Sequence, residues 1–269
     1  MRKLTNQEIG KIGLYEFQGY IGAMTSPTFG GWKGTDRLIE LLDIKEMERP
    51  RILEVGCSTG YITRHVAQKF DCEIVGVDLS EILIELARDE SEKLNLTNVS
   101  FERASAESLP FVDSSFDIVY GEAITALVSD PVMVLKEYRR VLKKGGKVAT
   151  LDLFMKESLD PEFYQEMKNI MIMSNIIGPE TDIRTLKEWE NIFKEAGFNN
   201  IKIDDYYEDI FVRDYSFAEK IMISIRVLYH MAINRDLRRK MRPMLKFVKK
   251  FQDELKGDSL GYFIFTGVK

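Results

Sequence analysis

The 269-residue chain is poor in the residues that build metal and disulfide centres. It has two cysteines, Cys57 and Cys72, and two histidines, His65 and His230. Two cysteines make neither a disulfide framework, nor a tetrahedral zinc site, nor a three-cysteine iron–sulfur motif, and no metal is expected. Long apolar runs are absent. No window approaches the ~18 consecutive apolar residues of a spanning helix, so no membrane segment is expected. The opening MRKLTNQEIG has no apolar stretch behind its charges and does not read as a secretory signal. With so little cysteine, the simplest compartment is a reducing cytoplasm. Positive charge is not in excess: 38 Lys and Arg against 43 Asp and Glu leave a net charge of -5. That balance opposes bulk attraction to nucleic acid, and no DNA partner is expected.

What is present is 45% hydrophobic and 30% charged residues, ample for a core. Thr5 and Glu8 have the spacing of a capping box, with Ile9, Ile12, Phe17 and Tyr20 placed to face inward. A break follows over 25–31, after which Thr35 or Asp36 can cap a helix carrying Leu38, Ile39, Leu41 and Leu42. Beyond Pro50, short β-branched runs at 51–55, 73–78, 99–102, 116–120 and 147–152 alternate with helical stretches at 61–69, 81–93 and 131–142. Lys143-Lys144-Gly145-Gly146 reads as a helix stop with a left-handed glycine cap. Helices at 161–176 and 186–196, a strand at 200–204, helices over 215–256 and a strand at 261–268 complete the pattern. Such alternation predicts βαβ units and a parallel sheet.

The chemistry concentrates in Glu54-Val55-Gly56-Cys57-Ser58-Thr59-Gly60, with Asp78 closing the next strand. A strand-to-helix turn of small residues lets backbone approach a ligand at the carboxyl edge of the sheet. A carboxylate at Asp78 can accept both hydroxyls of a ribose. The dinucleotide fingerprint G-x-G-x-x-G fails twice, because Ser58 and Tyr61 stand at its second and third glycines. Glu54 would repel a pyrophosphate and suits a ligand with a positive end, such as the amino group or sulfonium of S-adenosylmethionine.

The ordered set of segments is Glu54 to Gly60, Asp78, Ala106-Glu107-Ser108-Leu109-Pro110-Phe111, Ser115 to Val119 and Leu142 to Gly146. In this order it resembles the class I S-adenosylmethionine-dependent methyltransferases, of the branch acting mostly on small molecules. The likeness covers about residues 35–204 and the last strand. It implies an α/β fold: a Rossmann-like, seven-stranded, mostly parallel sheet with the last strand antiparallel, plus N- and C-terminal helical caps. The division expected is a cap over 1–34, a core over 35–214, a helical insertion over 215–256 and a final core strand over 257–269. The resemblance places Gly56 under the methionine part, Glu54 near its amino group, Asp78 on the ribose, Leu79 against the adenine and the Ala106 N–H on the adenine ring. Ser58 stands where glycine is common, and Ser105 where an aspartate usually accepts from the adenine amino group. The expected cofactor-binding set for S-adenosyl-L-methionine is Glu54, Gly56, Cys57, Gly60, Asp78, Leu79, Ser105, Ala106 and Glu122.

No catalytic residue is evident. Glu122 is a candidate to hold or deprotonate an amine; the other reading has it facing outward or bonding backbone amides. The expected reaction is in-line methyl transfer to a small molecule, with a protein or RNA substrate, or a non-catalytic cofactor-binding module, as alternatives. A homodimer is possible. Leu237, Met241, Met244 or Leu245, Val248, Phe251 or Gln252, and Leu255 recur at helical spacing, and Pro243 starts or kinks that helix. Its other face is basic, from Arg235 to Lys250. That face is either simply solvated or belongs to a lid that closes over the methyl site with Phe17, Tyr20 and Trp32.

Overall fold

Alternate residues of the short apolar runs belong to opposite faces of one sheet. Ile52, Ile74 and Ile118 join one core cluster, while their neighbours Leu53, Val75 and Val119 join another. Strands buried on both faces are the rule in parallel sheets covered by helices. The computed structural model describes residues 3–24, 30–174, 176–206, 215–255 and 260–269, without the side chains of 246–255. The side chains of Val248, Phe251, Gln252 and Leu255 therefore lie outside the described residues.

The strands are β1 (Arg51–Val55), β2 (Glu73–Asp78), β3 (Val99–Arg103), β4 (Phe116–Glu122), β5 (Leu142–Met155), β6 (Asn199–Tyr206) and β7 (Leu260–Val268). Their order is β3-β2-β1-β4-β5-β7-β6. The first five are parallel, and β7 runs antiparallel to both β5 and β6. The helices are α1 (Asn6–Lys11), α2 (Leu14–Tyr20), α3 (Gly31–Leu41), α4 (Tyr61–Lys69), α5 (Glu81–Lys93), α6 (Pro131–Val141), α7 (Pro161–Met173), α8 (Leu186–Glu195), α9 (Phe217–Ile233) and α10 (Arg235–Leu255). On one face α3, α4 and α7 supply Leu38, Val66 and Phe163. On the other, α6 and α8 supply Leu135, Tyr138, Trp189 and Phe193. Among the described residues no helix is long and apolar enough to cross a membrane.

Three local expectations are corrected. Gly145 has φ +78, yet it does not cap a helix: α6 stops at Val141 on an extended Leu142, and Gly145 lies within β5. α3 starts at Gly31 on a left-handed Gly30 rather than at Thr35 or Asp36, because the buried Thr35 side chain is needed elsewhere. Pro243 does not start the last helix but lies inside it.

The expected capping box at Thr5 and Glu8 is present, but α1 is only one and a half turns and α2 begins anew on Gly13. These short helices depend on a satellite core in which Ile9, Leu14 and Phe17 pack with Leu237 and Met241. Lys240 Nζ donates to the carbonyls of Gly10 and Ile12 at 3.0 and 2.8 Å, satisfying acceptors left free where α1 ends. Asn234 Nδ2 donates to Asn6 O at 2.6 Å. Segments from opposite ends of the chain thus form one helical body beside the sheet.

Trp189 joins α8 to the sheet. It is fully buried, its Nε1 donates to Leu153 O at 3.2 Å, and its ring lies 5.3 Å from that of Phe263 on β7. Trp189→Ala should cost about 3–5 kcal/mol of stability, measured by urea unfolding. A loss below about 1 kcal/mol would mean that α8 is held by other contacts.

Candidate functional site

The turn after β1 is pulled onto β2. The N–H groups of Gly56 and Cys57 both donate to Val77 O, at 2.8 and 2.9 Å. Gly56 has φ +77, and a Cβ there would fall 2.7 Å from Ile124 Cδ1, so only glycine fits. Ser58, where glycine is common, keeps a glycine-like backbone at φ +53. That conformation costs an L-residue roughly 1–2 kcal/mol, and the N–H of Ser58 is held by Asp78 Oδ2 at 3.0 Å. Asp78 Oδ1 accepts from Ser80 N at 2.9 Å, which opens α5. Burial raises the Asp78 carboxyl above its ordinary value, against the pull of these hydrogen bonds.

Beside Asp78 opens a cavity of about 590 Å³. Gly56, Leu79, Ser105, Ala106 and Ile124 line it, and Leu79 is 67% exposed. Ser105 Oγ accepts from Glu107 N at 3.2 Å within its own loop. Lys11, Tyr15 and Glu16 also line it, as do Ile176 and Thr181. Glu16 Oε1 accepts from Ser80 Oγ at 2.6 Å, tying α2 to the first turn of α5.

Phe17, Tyr20 and Trp32 are corrected as lid residues. Phe17 is fully buried in the satellite core. Tyr20 and Trp32 line a separate cleft of about 740 Å³ with Tyr61, Arg64, His65 and His230. Gly19 lies between the two spaces, where a Cβ would fall 2.3 Å from Leu83 Cδ2. The helical period explains the exchange. Leu14 and Phe17 share the buried side of α2, so Tyr15 and Glu16 turn to the cavity. Glu16 carried a legible signal, since its Oε2 accepts from Gly13 N at 3.0 Å as a capping residue.

Glu54 and Glu122 do not line the cavity either. Glu54 is 3% exposed, and its Oε2 accepts from Thr63 Oγ1 at 2.5 Å and from Tyr120 OH at 3.0 Å. Burial pushes this carboxyl up to about 7. Glu122 accepts from Thr35 Oγ1 at 2.9 Å, and its Oε1 has no hydrogen-bond partner among the described residues. Burial, and then the nearby Glu54, push it up to about 8. Asp152 on β5 accepts from Thr125 Oγ1 and from Ala126 N, and burial pushes it up to about 7. Cys57 and Gly60 are buried and shape the turn from behind: a Cβ at Gly60 would fall 2.5 Å from Phe101 Cε1. Among the described residues no group of three or more His, Cys, Asp or Glu could hold a metal ion.

A family model described as a methyltransferase domain matches residues 48–197. Among curated proteins, the 27-O-demethylrifamycin SV methyltransferase of Amycolatopsis mediterranei is 33% identical over 177 residues, covering 64% of this chain and 61% of that protein. The phosphoethanolamine N-methyltransferase 2 of Haemonchus contortus, solved in complex with S-adenosyl-L-methionine, superposes with a TM-score of 0.68 at 19% identity. That match covers 98% of this chain and 57% of the other. The (4+2)-cyclase SpnF superposes with a TM-score of 0.70 at 20% identity, covering 98% and 96%. At these identities the structural likeness concerns the fold. The chain spans less than two thirds of the length of the curated relatives it matches.

The three buried carboxyls make stability depend on pH in a definite direction. Glu54, Glu122 and Asp152 keep a proton in the folded chain where the unfolded chain, with ordinary values of 4.5 for Glu and 3.8 for Asp, has lost it. The stability they lend is fully present below about pH 4 and is lost as the pH rises through 7 to 8. Glu122→Gln mimics the protonated form. It should raise stability by roughly 1–3 kcal/mol at pH 8 and by much less at pH 5, read from urea midpoints. A gap that does not change with pH would remove the buried-proton assignment.

Proposed function

This chain belongs to the methyltransferase domain family, and on that footing we propose that it transfers a methyl group from S-adenosyl-L-methionine to a small-molecule acceptor by in-line displacement. When bound, the cofactor supplies a methyl group already activated on a sulfonium, so the protein's work is alignment and exclusion of water. The observation that carries the reading is Asp78. Its carboxylate stands at the cavity beside a glycine turn, with Oδ2 accepting from Ser58 N and Oδ1 from Ser80 N. A carboxylate offers about four acceptor sites in all, which leaves capacity for ribose hydroxyls. Leu79 offers an exposed apolar surface for the adenine, and the Ala106 backbone borders the same space. Gly56 also lines this space, and its backbone allows the methionine part a close approach.

Glu54 acts at one remove, fixing Thr63 and Tyr120 behind the turn rather than touching the amino group. Helices α1 and α2, braced by Leu237 and Met241 of α10, serve as the lid and bring Lys11, Tyr15 and Glu16 into the cavity wall. No base is required for an acceptor that arrives with a free lone pair. Residence in the cytoplasm fits the two free, buried thiols. The likeness to a cyclase over 96% of its length supports a second reading, in which the same cavity binds the cofactor without methyl transfer.

Release of S-adenosylhomocysteine with a methylated metabolite separates the two readings, and its absence across amine, hydroxyl and thiol acceptors would favour the second. Asp78→Ala should weaken cofactor binding at least tenfold by calorimetry, from the loss of two hydrogen bonds to a charged acceptor, about 1.5–3 kcal/mol. Asp78→Asn, which keeps one acceptor oxygen, should lose less. Unchanged affinity in both would end the ribose assignment.

A further inference from the structure

Helix α4 turns Val66 to the core of the sheet and, at spacings of three and four, sets Tyr61, Arg64, His65 and Gln68 on another face. That face lines the cleft of about 740 Å³, together with Leu86 and Glu90 of α5 and Arg226 and His230 of α9. The cleft shares no lining residue with the cavity beside Asp78. Its size suits one small organic molecule.

Arg64 is the unusual member of this wall. It is 7% exposed, and its Nη1 donates to Thr59 O at 2.6 Å. Its Nε and Nη2 have no partner among the described residues and are not sealed from the cleft that Arg64 lines. Glu90, the one acid in the wall, pairs instead with Lys93 on its own helix. Burial lowers the proton affinity of the Arg64 guanidinium, yet an arginine keeps its charge at any ordinary pH. A charge held this deep calls for an opposite charge. Arg226 donates to Ile21 O at 2.6 Å beside Gly22, where a Cβ would fall 2.9 Å from its Nη1. It too has no carboxylate partner among the described residues. Burial lowers both histidines, His65 with help from Lys69, so their rings are neutral at pH 7. Two arginines against Glu90 leave the wall with one net positive charge. The remaining surface is flat and apolar. The Trp32 ring lies 5.7 Å from that of Tyr61 and 4.6 Å from that of His65, and Tyr20, Leu86 and Leu94 extend it.

We propose that this cleft is a second ligand site, for a small aromatic carboxylate whose anionic end forks onto Arg64 and whose ring lies among Trp32, Tyr61 and Tyr20. A planar guanidinium gives a carboxylate two parallel N–H bonds, and the anchor to Thr59 O fixes the fork before the ligand arrives. A monoanion matches the net charge of the wall, whereas a phosphate dianion would bring a second negative charge among aromatic rings and beside Glu90. Because the two spaces share no wall, this ligand is distinct from the methyl acceptor.

The test adds 2-naphthoate to the full chain. Calorimetry should give one site with a Kd below about 1 mM. 2-Naphthamide keeps the rings and loses the charge, and should bind at least about tenfold more weakly. The only two histidines of the chain, His65 and His230, both line the cleft, so their ring-proton resonances report on it. Both should shift, and with the Kd that calorimetry gives. Arg64→Met should lose at least about tenfold in affinity, and Arg64→Lys, which keeps the charge without the fork, should lose less. Absence of binding overturns the proposal, as does binding that leaves both histidines unmoved, since the probe then sits elsewhere. Equal affinity for the amide overturns it, and so does full affinity in Arg64→Met. Inorganic phosphate that shifts the histidines as strongly as the naphthoate does at equal concentration overturns it too. If Arg64→Met does not fold, the comparison of naphthoate with naphthamide on the wild-type chain decides.

Discussion

Val77 O accepts two backbone N–H groups at once, from Gly56 and Cys57. That pair of hydrogen bonds to one carbonyl bends the chain out of β1 and holds the turn against β2. Everything at the cavity follows from the bend. It brings Ser58 N within reach of Asp78, and Asp78 in turn orders Ser80 and the start of α5. It also brings Gly56 against Ile124, which removes room for any side chain there. The cavity is the space that remains where backbone has been drawn back from the sheet edge.

Behind the turn the fold spends stability on polar groups. Glu54, Tyr120 and Thr63 form one buried network, and Glu122 with Thr35 another. Thr35 sits on α3, so a hydrogen bond to a strand end fixes how that helix lies on the sheet. Carboxyls kept neutral by burial can hold such bonds without a full buried charge. The arrangement is costly wherever the proton is lost, and it makes α3 sensitive to the state of a residue three strands into the sheet.

Much of this was legible in the residues. The apolar run between Pro50 and Gly56 marked β1, and strands alternating with helices marked a parallel sheet. The turn and Asp78 were visible because they rest on local backbone chemistry. Orientation was not. Whether Glu54 points to the cavity or to Tyr120 depends on register between β1 and β4, which pairs Glu54 with Tyr120. Phe17 looked like a lid residue because an aromatic on a cap helix has two possible neighbours. The one it takes, Leu237 and Met241, lies far along the chain. Gly145 showed its left-handed backbone correctly, but a bulge and a helix cap require the same φ.

The place of β7 in the sheet has a consequence for how the molecule comes together. β7 lies between β5 and β6, paired with β5 at nine positions from Lys147 to Met155. Both neighbours are synthesised before it. Until β7 arrives, β5 offers a bare row of N–H and C=O groups, and β6 has no sheet to join. The parallel half can close as a local, stepwise unit, whereas the other half waits on a contact of long sequence separation. The half of the sheet beyond β5 thus depends on a pairing between segments more distant in sequence than any in the parallel half.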